Sequence, residues 1–137
     1  MSRRDSRITA FTLLFESDFH PDLKYSELYE RAELVRELNI DKFAKTLYET
    51  TTNNISAINS EIENASNNWK LSRMSAVSRS IVRLAAGEIM FTDVPPKVAI
   101  NEAVEIAKIY DDDKAPSFIN GILNTIAKKL GKLESND

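Results

Sequence analysis

Three arginines, Arg3, Arg4 and Arg7, stand at the opening of the chain, where a first helix begins. Their guanidinium groups would adjoin unpaired backbone N–H groups and the positive end of a helix dipole, an arrangement that binds phosphate. A solvated helix end has the same composition, so both readings stand. A second candidate lies near the other terminus, where Phe118 opens a helix beside Lys114. On a helical wheel Phe118 falls about 100° from the middle of the stripe Ile119, Ile122, Leu123, Ile126 and Leu130. An aromatic at such an edge can stack on an unpaired base while Lys114 and first-turn amides hold phosphate. It can equally close the margin of the core.

Asn101 and Asn120 sit in apolar helices where propensity favours Ala or Leu. They could read base edges, or tie the two C-terminal helices together through their amides, with Gly121 allowing close approach. Glu88 shares the apolar stripe of its helix and needs a partner. Arg73 or Arg79 would supply one, in a structural pair rather than an acid–base site. The single histidine, His20, precedes Pro21 at a helix end and reads as a capping residue. With no cysteine and one histidine, thiolate chemistry, disulfides and multi-histidine metal clusters are excluded. Asp111-Asp112-Asp113 lacks the glycine and terminal glutamate of a calcium loop and reads as a solvated loop. Phosphate-loop, nucleophile-elbow and carboxylate-dyad patterns are missing too. The expectation is a protein that is not an enzyme and uses no cofactor or metal.

The elements that must position these residues are helices. The chain has three glycines and four prolines, apolar residues recur at spacings of three and four, and no alternating strand pattern occurs, so the fold class is all-α. The first helix spans about Ser2 to Phe19 with Ile8, Phe11, Phe15 and Phe19 as its stripe, stopped by His20-Pro21-Asp22. A second runs from Tyr25 to Leu38, presenting Leu28, Leu34, Val35 and Leu38. A long third runs from Asp41 to about Ala65, with Thr50-Thr51-Thr52-Asn53-Asn54 as a weak middle where it can bend. Ser66-Asn67-Asn68 reads as a linker, followed by Trp69 and Leu71 as anchors and a turn at Ser72 to Met74. Ser75 then caps a helix to Phe91. Pro95-Pro96 open the next helix, to Tyr110, and Pro116 the last, which Gly131 stops after Leu130.

At 137 residues and 42% hydrophobic content, the chain supports one domain. It divides into subdomains of about 1–66 and 67–137. No apolar run reaches the roughly 18 residues of a membrane span, and no signal-peptide core follows the basic start, so a cytoplasmic location without membrane contact is expected. A net charge of −3 makes any anion-binding surface a local patch.

Three segments together resemble the NusB family of transcription antitermination factors. These are Arg-Arg-x-x-Arg at Arg3 to Arg7 leading into Leu13-Leu14-Phe15, then Trp69 through Leu84-Ala85 and Glu88, and finally Val94-Pro95 through Gly121-Ile122-Leu123. The third contains Lys97-Val98-Ala99-Ile100-Asn101-Glu102-Ala103 and Phe118-Ile119-Asn120-Gly121. The resemblance implies about seven helices in two small bundle-like subdomains and an RNA-binding adaptor. Its RNA would be the single-stranded boxA element of nascent ribosomal RNA, and its protein partner the ribosomal protein NusE within a transcription elongation complex, with a homodimer compatible. Arg3, Arg4 and Arg7 match the family's basic start and Phe118 its RNA-surface aromatic; Lys114, Ser117 and Asn120 flank that ring. Phe15 and the flank around Ser78 match the face that receives the ribosomal protein. Three positions depart from the pattern. Ser78 replaces a common acid, Ser117 a common lysine or arginine, and Gly87 a larger side chain, at a helix cost of about 1 kcal/mol unless something packs there. Two rival classes remain open. One is a protein-binding module without RNA contact, for which the arginines would scatter and Phe118 would be buried. The other is the helical domain of a ribosomal RNA methyltransferase, which would require a Rossmann-like partner domain.

Overall fold

Seven α-helices and one 3₁₀ turn make up the regular structure of residues 2–36, 38–67 and 70–133, the part that the computed structural model describes. No strand occurs among these residues. The helices are α1 (Arg3–Phe19), α2 (Tyr25–Val35), α3 (Lys42–Asn53), α4 (Ile55–Ala65), α5 (Ala76–Phe91), α6 (Pro96–Tyr110) and α7 (Ala115–Lys129), with the 3₁₀ turn at Leu71–Arg73 before α5.

Local chemistry explains most boundaries. The Ser2 hydroxyl accepts from the Asp5 amide at 3.0 Å while the Asp5 carboxylate receives the Ser2 amide, a capping box that starts α1. His20 takes the C-cap, as its place before Pro21 requires, and donates its N–H to the Ser17 carbonyl. Asp41 caps α3 through the Ala44 amide and Ser75 caps α5 through the Ser78 amide.

The single long third helix expected from the sequence is two helices. Thr51 and Thr52 turn their hydroxyls back onto the Leu47 and Tyr48 carbonyls, at 2.8 and 3.1 Å, and the Asn54 amide does the same to Thr50. These side chains compete with the helical ladder. Asn54 leaves helical geometry and serves as both the end of α3 and the start of α4. α2 is also shorter than expected, ending at Val35, and its Leu34 and Val35 face solvent instead of the core. After α4 the chain turns at Asn67 with φ +56°, and Leu71 is buried. Asn68, and Trp69, which the sequence reading takes as an anchor, lie outside the described residues.

α5 is the centre of the molecule and packs against α1, α3, α4, α6 and α7. From Ser80 to Ile89 every residue except Arg83 is buried, as a helix surrounded by others requires. Side chains from both halves, among them Leu13, Leu47, Ile58, Ile62, Ile89, Ile119 and Leu123, join one apolar cluster. Gly87 has a packing reason: a Cβ there would stand 2.8 Å from Thr51 Oγ1 and 3.2 Å from Ile58 Cδ1. Glycine lets the α3–α4 corner close onto α5, and that contact offsets the lost helix propensity.

Candidate nucleic-acid interface

The opening arginines divide into two kinds. Arg7 is 6% exposed and clamps Glu88 of α5, Nε at 3.0 and 3.2 Å and Nη2 at 2.7 Å from the carboxylate oxygens. This corrects one sequence reading: the partner of Glu88 is Arg7, across the fold, not Arg73 or Arg79. Arg7, expected to bind RNA, lies on a hollow shared with Arg3 and Arg4 but is paired through its guanidinium to Glu88. Arg79 and Arg83 instead hold Asp18 at the end of α1.

Arg3 and Arg4 are exposed. They line a hollow of about 670 Å³ with Phe43, Val94, Val98 and Glu102, and the paired Arg7 lies at its inner edge. The Arg3 guanidinium lies over the Phe43 ring, 4.2 Å from its centroid. Arg4 forms a two-toothed pair with Glu102 of α6, both contacts at 2.9 Å. The hydrogen bond from Arg4 holds the Glu102 carboxyl below the usual range, and Glu102 in turn raises Arg4. Phe43, Val94 and Val98 join this surface without any signal in sequence spacing, because α3 and α6 reach the start of α1 only through tertiary packing.

Phe118 is 40% exposed, where the helical wheel leaves edge and core both open. It borders a hollow of about 380 Å³ with Arg73, Met74, Ser75, Ser78, Asp112 and Lys114. Asp112 Oδ1 receives the Lys114 and Ala115 amides, both at 3.0 Å, and Pro116 has no N–H. The first turn of α7 therefore offers a phosphate fewer amides than expected. Asp111 and Asp112 hold the α6–α7 connection together: Asp111 accepts from the Ser78 hydroxyl and from the Asp112 amide. Ser117 and Asn120 are exposed beside Phe118. Asn120 does not tie α6 to α7. Its carbonyl accepts from Asn124, Asn101 is exposed as well, and a Cβ on Gly121 would meet open space, so no close helix approach uses that glycine.

Arg3 and Arg4 do not share a hollow with Lys114 and Phe118. The first pair stands by the N-terminal part of α6, the second beyond its C-terminal end. Between Glu102 and Asp111 lie about 13 Å of helix rise. α1 and α6 both pack on α5, and side chains join them at two places, Arg4–Glu102 toward the start of α6 and Phe11 against Tyr110 at its end, ring centroids 5.4 Å apart. The two hollows lie toward opposite ends of α6. Phe15 is half-buried and stacks between Phe11 and Phe19. Ser78, expected on an exposed flank, is buried at 8% and bonded to Asp111. It lines the Phe118 hollow all the same, whereas Phe15 lines a separate hollow with Phe19, His20 and Arg31.

Comparison with known proteins decides the family. The NusB family profile matches residues 4–128. The chain belongs to the NusB family of transcription antitermination proteins. NusB of Natranaerobius thermophilus is 39% identical over 137 residues, which cover 96% of this chain and 99% of that protein. The T. maritima NusB structure is similar with a TM-score of 0.81 at 35% identity, covering 94% of this chain and 92% of that one. A structure of antitermination factors NusB and NusE in complex with dsRNA is similar with a TM-score of 0.80 at 29% identity, covering 93% and 96%. The Ser78 hydroxyl donates to the carboxylate of Asp111, and Lys114 places a cation in the Phe118 hollow. No helix among the described residues of this NusB chain is long and apolar enough to cross a membrane.

Proposed function

We propose that this chain is an RNA-binding adaptor of transcription antitermination. It holds boxA-type single-stranded RNA of nascent ribosomal transcripts together with NusE, joins the elongation complex, and so supports processive transcription and ribosomal RNA maturation. The observation that carries this reading is Phe118: a ring open to solvent, beside the Lys114 ammonium, in a chain of the NusB family. Bases stack on such a ring without regard to register, and basic residues toward the other end of α6 hold phosphates. The strand runs from Arg3 and Arg4 along α6 to Phe118. The protein partner docks at Ser78 and Phe15. Held on one molecule, RNA and partner each raise the effective concentration of the other.

Binding of a fluorescent boxA-type oligonucleotide, with and without NusE across a salt series, tests the proposal. Affinity rises when NusE is present and falls as salt increases. Binding that ignores both salt and partner contradicts it.

A further inference from the structure

Three of the chain's lysines surround a hollow that the proposed RNA path does not use. Lys97 lies in the first turn of α6, Lys128 in the last turn of α7 and Lys132 just beyond it; with Asn124, Pro95 and Pro96 they line about 410 Å³. Asn124 and Lys128, four positions apart, lie on one face of α7, and Lys132 follows the turn at Gly131. Lys132 has a structural duty, donating to the Ile89 carbonyl at 2.6 Å near the end of α5. Lys97 and Lys128 are exposed and have no carboxylate partner among the described residues. Lys129 has one, Glu61, on another side of α7. In a chain of net charge −3, two such ammonium groups beside one hollow are a local exception.

The position of this hollow assigns it a ligand. The turn from Val94 to Val98 separates it from the Arg3–Arg4 hollow, with Val94 and Val98 lining one side and Pro95, Pro96 and Lys97 the other. A polyanion leaving Arg3 and Arg4 away from Phe118 meets this turn next. Pro95 and Pro96 keep it stiff, and the Lys97 amide is not used in the helix start, where Val98 and Ala99 both donate to Pro95. Asp93 is the exposed carboxylate on the approach. In the Arg3–Arg4 hollow the carboxylate of Glu102 is neutralised by Arg4.

We infer that Lys97 and Lys128 form a second phosphate-binding step, which takes the RNA flank running beyond the core element past Arg3 and Arg4. This rests on the RNA-binding reading above. The contact is with backbone phosphate, so it adds affinity and salt dependence without sequence preference.

The test compares a boxA-type core oligonucleotide with the same core lengthened by a uridine tract at its 5′ end or at its 3′ end. Each is bound to the full chain with NusE, in wild type and in the Lys97→Gln/Lys128→Gln variant. Both lysines are exposed, and unchanged thermal unfolding confirms that the variant folds. In wild type one of the two extensions tightens binding and steepens the log–log salt slope by about 0.7 for each phosphate engaged. The double variant loses that increment and binds the core as wild type does. An extension that adds nothing in wild type, or adds as much in the variant, overturns the inference while leaving the core site intact. Failure of wild type to bind the core overturns the RNA-binding reading itself, and the second step with it.

Discussion

Arg7 of α1 and Glu88 of α5, 81 positions apart, form a bidentate ion pair inside the molecule, with side chains 7% and 3% exposed. The pair joins the opening helix to the central one. It fixes how α1 lies on α5, and through that where Arg3 and Arg4 emerge.

Removing one member leaves a buried charge unmatched. Glu88→Ala is expected to destabilise the fold by about 3–5 kcal/mol, whereas Arg7→Met combined with Glu88→Leu regains much of that loss, because two apolar side chains replace two desolvated charges. Urea unfolding of the three proteins checks this. A Glu88→Ala variant as stable as wild type would show that the pair does not hold the helices.

Arg4 is paired with Glu102, so a phosphate must compete with a carboxylate for it. Glu102→Gln therefore tightens RNA binding, and Arg4→Ala both weakens binding and lets the Glu102 midpoint rise toward the ordinary carboxylate range. The sign follows from linkage. The folded-state value is depressed, so the pair's stabilisation is complete above the ordinary range and is lost as pH falls through it. Carboxyl NMR titration reads the shift. A midpoint that Arg4→Ala leaves unchanged would place the cause elsewhere.

Gly87→Ala is expected to destabilise by about 1–3 kcal/mol although alanine is the better helix former, because the new methyl meets Thr51 Oγ1 and Ile58. Adding Thr51→Ala to Gly87→Ala restores part of the loss. Thermal unfolding distinguishes this from a propensity effect, which would make Gly87→Ala stabilising.

Helix starts and stops are legible in the sequence wherever a local group enforces them: Ser2, Asp41 and Ser75 at caps, His20-Pro21 and Gly131 at ends. The wheel places Phe118 at the edge of the α7 stripe and leaves exposed and core roles open; packing leaves the ring 40% exposed. What the sequence does not convey is long-range partnership. Nearby arginines suggest themselves for Glu88 because spacing within a helix is visible and packing of α1 on α5 is not. The same blindness hides Thr51 from Gly87 and Phe43 from Arg3. Asn101 and Asn120, set among apolar neighbours, suggest buried ties, yet each falls on the outward side of its helix. The break at Asn54 is half visible: the weak run is evident, but side-chain bonds to Leu47, Tyr48 and Thr50 turn a bend into a boundary.

The central claim is that one RNA strand is gripped by charge at Arg3 and Arg4 and by stacking at Phe118. Salt-dependent affinity for a boxA-type oligonucleotide, measured with NusE for wild type, Phe118→Ala and Arg3→Ala/Arg4→Ala, tests it most directly. Phe118→Ala is predicted to cost about 1–3 kcal/mol of binding with the salt slope unchanged, while the arginine variant lowers the slope by about 0.7 for each phosphate it no longer neutralises. Phe118→Ala binding as tightly as wild type, or an arginine variant with an unaltered slope, would contradict it.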